Sequence, residues 1–259
     1  MKKLVLALAV SGALSAPAFA HAEQCSGLPS HDALLAALNS ATYQGAKAPS
    51  GNGGFSLDMW GTVVNRDGIV CAVAFTGLNR GSEWPGSRVI SAQKANTANA
   101  FSLPGLALST ANLYAAVQPG GSLFGLQESN PVDTAAAYAG PSTAYGTSKD
   151  PLVGSKIGGI NVFGGGLALY DSSGILIGAV GVSGDTSCAD HNVAWRTRHN
   201  LALDFVSGGV SAAGDDNINY IGLVPVPSLA ADFSHPICKI AGKDNVSAIS
   251  AALPPISKK

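Results

Sequence analysis

Residues 55–64 and 69–76 are two apolar, β-rich runs separated only by Asn65-Arg66-Asp67-Gly68. A four-residue Asn/Asp/Gly link has no room for a crossover helix, so the runs must pair antiparallel as a hairpin. A second pair of runs, 160–170 and 175–182, flanks Asp171-Ser172-Ser173-Gly174. Parallel crossover units are therefore missing, and a dinucleotide-binding α/β fold is excluded.

Three helical patterns surround the hairpins. Residues 31–44 place Leu34, Leu35, Leu38 and Ala41 on one face, with Ser30 to cap the first turn and Gly45 to stop the last. Residues 87–101 carry Val89, Ile90, Ala95, Ala98 and Phe101 on one side, and 189–206 forms the third. Two hairpins and three helices predict an α+β fold, a central antiparallel sheet flanked by helices. Residues 102–158 are rich in Gly, Pro, Ser, Asn and Tyr, with one short helical stretch at 109–117. A loop of that length in a compact domain carries function more often than filler. Beyond Gly208 the chain reads as an extension that wraps the surface.

The N-terminus reads Met1-Lys2-Lys3, an apolar run to Leu14, and Ala18-Phe19-Ala20 or Ala20-His21-Ala22 as a small-x-small exit. That is the pattern of a cleaved secretory leader, 1–22, and it is too short to anchor the chain in a membrane. The expected location is outside the cytoplasm, periplasmic or secreted. The domain organisation read from sequence is then leader, a domain over 23–207 and an extension over 208–259. The formal charge of -1 becomes roughly -3 once Lys2 and Lys3 are gone, and no basic run follows. Nucleic acid is excluded as a partner, because phosphate neutralisation needs such a run. In an oxidising compartment the four cysteines, Cys25, Cys71, Cys188 and Cys238, are expected to form disulfides. Three pairings exist. Cys188 with Cys238 is favoured because it would pin the extension, and Cys71 is alternatively a buried free thiol.

Several short motifs bear on chemistry. Gly164-Gly165-Gly166 and the glycines of 178–184 match neither nucleotide-loop pattern, and glycine within a strand instead admits close backbone approach. Ser91-Ala92-Gln93-Lys94 satisfies Ser-x-x-Lys, but its Lys-Thr-Gly companion is absent. Cys188 and His191 share a helical turn as potential metal ligands, with His199, His31 and His235 as the remaining imidazoles. Gly184-Asp185-Thr186-Ser187 opens a helix, whose free N–H groups suit a ligand carboxylate.

Taken together, these segments resemble the GlcG/HbpS family of haem-binding proteins, related to the PduO C-terminal domain. The resemblance rests on Val63-Val64-Asn65-Arg66-Asp67-Gly68, Ser91-Ala92-Gln93-Lys94-Ala95-Asn96-Thr97-Ala98 and Gly165-Gly166-Leu167-Ala168-Leu169-Tyr170. It continues through Gly178-Ala179-Val180-Gly181-Val182-Ser183-Gly184 and Asp190-His191-Asn192-Val193-Ala194, and covers about 30–205. It implies a central antiparallel sheet, haem or another tetrapyrrole as ligand, a role in haem handling or redox sensing, and a homo-oligomer. It places the ligand between the signature helix, with Lys94 and Thr97, and the strand end at Gly184, and Thr186 of the following helix start joins them as a candidate contact. The family has no fixed axial residue and many members carry an acidic residue at position 191, so His191 is this chain's own first candidate for the iron ligand and His199 the second, since imidazole is a common axial group. The enlarged loop at 102–158 and the extension are this chain's departures. The alternatives are a small-molecule enzyme using Lys94, Ser91 or His191, and a structural module whose polar helix is a subunit contact.

Overall fold

The computed structural model describes residues 24–43, 51–222, 232–239, 249–250 and 252–258. The leader and Gln44 lie outside them. Helix α1 (His31–Tyr43) is followed by β1 (Trp60–Asn65), β2 (Val70–Phe75) and α2 (Ser87–Phe101). After the long loop, which holds the one-turn α3 (Thr134–Ala137), come β3 (Gly166–Tyr170), β4 (Leu176–Ser183) and α4 (Ser187–Asn200). The four strands form one antiparallel sheet in the order β2-β1-β4-β3. The two expected hairpins are thus stitched together through β1 and β4, and the fold is α+β. No helix among the described residues is long and apolar enough to cross a membrane.

Strand alternation divides the sheet into two covered faces. Val63, Ala72, Ala74, Leu167, Leu169, Val180 and Val182 meet α1 and α4 through Leu34, Leu38, Val193, Ala194 and Trp195. On the other face Trp60, Val64, Val70, Val73 and Ala179 meet Val89, Ala92, Ala95 and Ala98 of α2. That contact is unusually close because the sheet presents glycine there. A Cβ on Gly181 would land on the Ser91 carbonyl, and one on Gly166 on the Lys94 carbonyl. Backbone thus meets backbone, which is what glycine in a strand permits.

The first hairpin turn is built as its sequence implies. Asn65 Oδ1 accepts from the N–H groups of Asp67 and Ile69, both at 2.9 Å, and Gly68 takes φ 75°. Several boundaries move from the sequence expectation for local reasons. Strand β1 starts at Trp60, not 55, because the N–H groups of Phe55 and Leu57 bond the Asp185 carboxylate instead of a neighbouring strand. Strand β3 starts at Gly166, not 160, because the Asn161 N–H bonds Thr97 Oγ1 and Gly165 sits at φ 116°. Helix α4 ends at Asn200, not 206, where Ala202 turns left-handed at φ 53°. In the long loop the expected helix at 109–117 reduces to turns and a 3-10 segment, Ala115–Val117.

Cys188 bridges Cys238 as favoured, and Cys25 bridges Cys71, so the free-thiol alternative for Cys71 does not hold. The extension is less superficial than expected. Ile218 and Tyr220 pack with Ala111 and Cys188, and Asp216 is fully buried. Burial is possible because Arg198 grips Asp216 with two parallel bonds of 2.7 Å. Arg88 likewise pairs with buried Asp150 of the long loop, under the Tyr145 ring.

Candidate functional site

Helix α2, the end of β4 and the start of α4 converge on one polar knot inside the domain. Lys94 Nζ donates to Asp190 Oδ2 at 2.6 Å and to the Val182 carbonyl at 3.0 Å. Asp190 Oδ1 accepts from the N–H groups of Gly184 at 3.1 Å and Asp185 at 2.8 Å. The pair therefore ties three elements together, in a setting where removing either partner would strand a buried charge. Burial works against both ions. It draws the Lys94 ammonium down and lifts Asp190 to about 6, opposed by their mutual attraction and by the bonds to Asp190. Glu83 stands close by. Burial lifts its carboxyl to about 8, although Ser87 donates to it at 2.9 Å.

His191 follows Asp190 and is fully buried. Neither ring nitrogen meets a hydrogen-bond partner. The Asn217 side chain approaches without full hydrogen-bond geometry. Burial pushes the imidazole down to about 3, against the pull of Asp216, so the ring is neutral with an uncommitted lone pair. Gly164 passes against its Cβ, and the Trp195 ring lies 6.1 Å away, centre to centre.

The other residues singled out from sequence divide in two. Thr97 is buried and links α2 to the approach of β3, donating to the Gln93 carbonyl and accepting from Asn161. Thr186 caps α4 by accepting from the Ala189 N–H at 3.3 Å. Gly184 lies where a Cβ would meet the Asp58 carbonyl. Lys94 reaches the start of α4 through Asp190, where Gly184, Thr186 and His191 also lie, whereas Thr97 sits one turn further along α2 and faces Asn161. His199 lies apart from His191. It is eight residues further along α4, about 12 Å by helical rise, and bonds Asp204 at 2.8 Å. Ser91 does not face Lys94 as a nucleophile would, for its hydroxyl bonds Thr62 Oγ1 and the Arg88 carbonyl, each at 2.8 Å. The N–H groups at the start of α4 are largely taken by Asp190, Thr186 and the Cys238 sulfur.

Sequence reasoning missed Asp190 as the partner of Lys94, and it missed Glu83 altogether. An acidic residue one position before a candidate iron ligand was the available signal for Asp190. Nothing local marks Glu83.

Residues 58–198, more than half of the chain, match the protein family described as "Haem degrading protein HbpS-like". The chain belongs to this family. The HbpS-like segment spans the whole sheet, α2 and nearly all of α4, and so contains the knot and His191. Among solved structures, the HbpS-like chain is similar to the PduOC–haem complex, at 23% identity and TM-score 0.42, over 64% of this chain and 91% of that one. It is also similar to Klebsiella pneumoniae protein ORFY, at 22% identity and TM-score 0.41, over 76% and 97%. A double mutant of Streptomyces reticuli HbpS aligns at 15% identity and TM-score 0.41, over the same shares. No curated protein sequence matches the chain.

Proposed function

We propose that this HbpS-like chain is an exported protein that binds haem or a closely related tetrapyrrole through His191, and serves haem handling or redox sensing as a homo-oligomer. One observation carries the ligand assignment. A fully buried, neutral imidazole with both nitrogens unbonded lies inside the family-matched segment. Leaving such a group unpaired costs about 1–3 kcal/mol, and a ligand-binding role is a reason to keep it. The donor fits the group, since neutral imidazole is a common axial ligand of haem iron. When bound, haem supplies a redox-active iron centre.

The chain's own residues set the conditions. Lys94 and Asp190 are committed to one another and fix α2 against α4, so Lys94 acts as a positioning residue. Asp216 and Asn217 of the extension lie close to His191, and because the ring is fully buried its surroundings must yield for a macrocycle to reach it. Export is supported by the leader pattern and by two disulfides, which suit an oxidising compartment.

Hemin titration followed by visible absorption tests the reading. A saturating shift of the main band is expected, with a weaker and spectrally different complex for His191→Ala. No spectral change at micromolar hemin would overturn haem binding, and an unchanged His191→Ala titration would overturn the assignment of His191. N-terminal sequencing of secreted protein, expected to begin after Ala20 or Ala22, tests the leader.

A further inference from the structure

Among the described residues, a cluster of metal-ligating atoms outside the haem reading lies where the extension meets the start of α4. Cys188, His235 and Cys238 each place one ligand atom within 4.8 Å of the other two. Cys188 and His235 are buried, and Cys238 is half-buried. The two sulfurs are joined as a disulfide, in which neither is a thiolate ligand.

The imidazole is already set up for a metal. His235 Nδ1 lies 2.6 Å from the Pro236 carbonyl, which can only accept, so Nδ1 carries the proton. Nε2 is then the lone-pair nitrogen, and the Ser187 hydroxyl, 2.7 Å away, donates to it. A ring N–H held by a backbone carbonyl is the outer-shell arrangement that orients metal-bound histidines. Two thiolates and one imidazole suit Zn(II), with a fourth tetrahedral position left to water.

We propose that the Cys188–Cys238 bridge masks a Zn(II) site, and that reduction of the bridge by a dithiol exposes a Cys188, Cys238, His235 ligand set. The dithiol gives two electrons and two protons to the bridge and leaves as its own cyclic disulfide. Cys188 and Cys238 become thiols. Zn(II) then forms two bonds to sulfur and one to Nε2, and two thiol protons are released. The Ser187 hydroxyl gives up Nε2 and turns to another acceptor. The site would join a thiol signal to the anchoring of the extension.

Co(II), a spectroscopic stand-in for Zn(II), tests this in the full chain without haem. A Cys25→Ala/Cys71→Ala variant leaves one bridge. After dithiol reduction it should bind one equivalent of Co(II), with sulfur-to-metal charge-transfer and tetrahedral ligand-field bands that Zn(II) abolishes. The oxidised form should show neither. His235→Ala should weaken binding at least about tenfold and alter the ligand-field bands, while Ser187→Ala should bind like the parent. If the double variant does not fold, reduced wild type is compared with Cys188→Ala/Cys238→Ala, which retains the other two thiols. An unaltered spectrum in His235→Ala, or equal binding by Cys188→Ala/Cys238→Ala and wild type, would overturn the site.

Discussion

The sheet with its α2 cover and the two added segments are held by different physics. In the first, glycines let strands and helix meet backbone to backbone, and the apolar faces are filled by small and branched residues. In the second, the long loop and the extension are riveted from outside by Arg88 to Asp150, Arg198 to Asp216 and Cys188 to Cys238. The close approach in the frame leaves no room for an atom more, whereas the added segments combine apolar packing, Leu152 and Ile157 in the cluster beneath α2 and Ile218 and Tyr220 with Ala111, with buried ion pairs and a cross-link. The same α2 serves both, since Arg88 faces the loop while Ser91 and Lys94 face the strands.

The comparison is broken most severely by adding one carbon to the frame. Gly181→Ala drives its new Cβ into the Ser91 carbonyl. A destabilisation above about 4 kcal/mol is expected from forced separation of the layers, read by chemical denaturation. If Gly181→Ala is nearly neutral, the close contact is not what fixes α2.

A rivet should fail less severely and be replaceable. Arg88→Ala leaves the Asp150 carboxylate buried without its cation, at a cost of about 3 kcal/mol or more. Asp150 also accepts from the N–H groups of Gly146 and Leu152, so the loop should loosen locally, visible as faster amide exchange over 140–155. Arg88→Met with Asp150→Asn should recover much of the loss, because the stranded charge is gone. Failure of that rescue would place Arg88 with the frame.

The smallest effect, read at pH 5, concerns His191, at the border of the two regions. Its folded imidazole protonates only near pH 3, below its unfolded value of 6.5. Between those limits the unfolded chain binds the extra proton, so stability is full above pH 6.5 and falls on acidification toward pH 3. The slope from this group is about 1.4 kcal/mol per pH unit. His191→Gln should remove about one proton from the uptake on unfolding at pH 5, measured by the pH dependence of the denaturation midpoint.

Much of this frame was legible because its signals are local. The Asn65–Gly68 turn, the apolar spacing of Leu34, Leu38 and Ala41, and the strand alternation each act over a few residues. The same is true of the glycines of β3 and β4, which implied close approach before any partner was known. The rivets were opaque for the opposite reason. Asp150 is 62 positions from Arg88, and nothing near either residue marks the pairing. The site was legible only in part. The helix opening at 184–187 was readable, yet the bond from Lys94 to Asp190 spans 96 positions. Tertiary pairing also trimmed β1, whose first residues spend their N–H groups on Asp185.

The two disulfides join cysteines that are consecutive along the chain, first with second and third with fourth. A polypeptide that emerges N-terminus first can therefore close each covalent loop as soon as its second sulfur appears. At that moment the correct partner is the only unpaired one available. Such an order spares the nascent molecule the slow search through scrambled isomers that interleaved bridges impose.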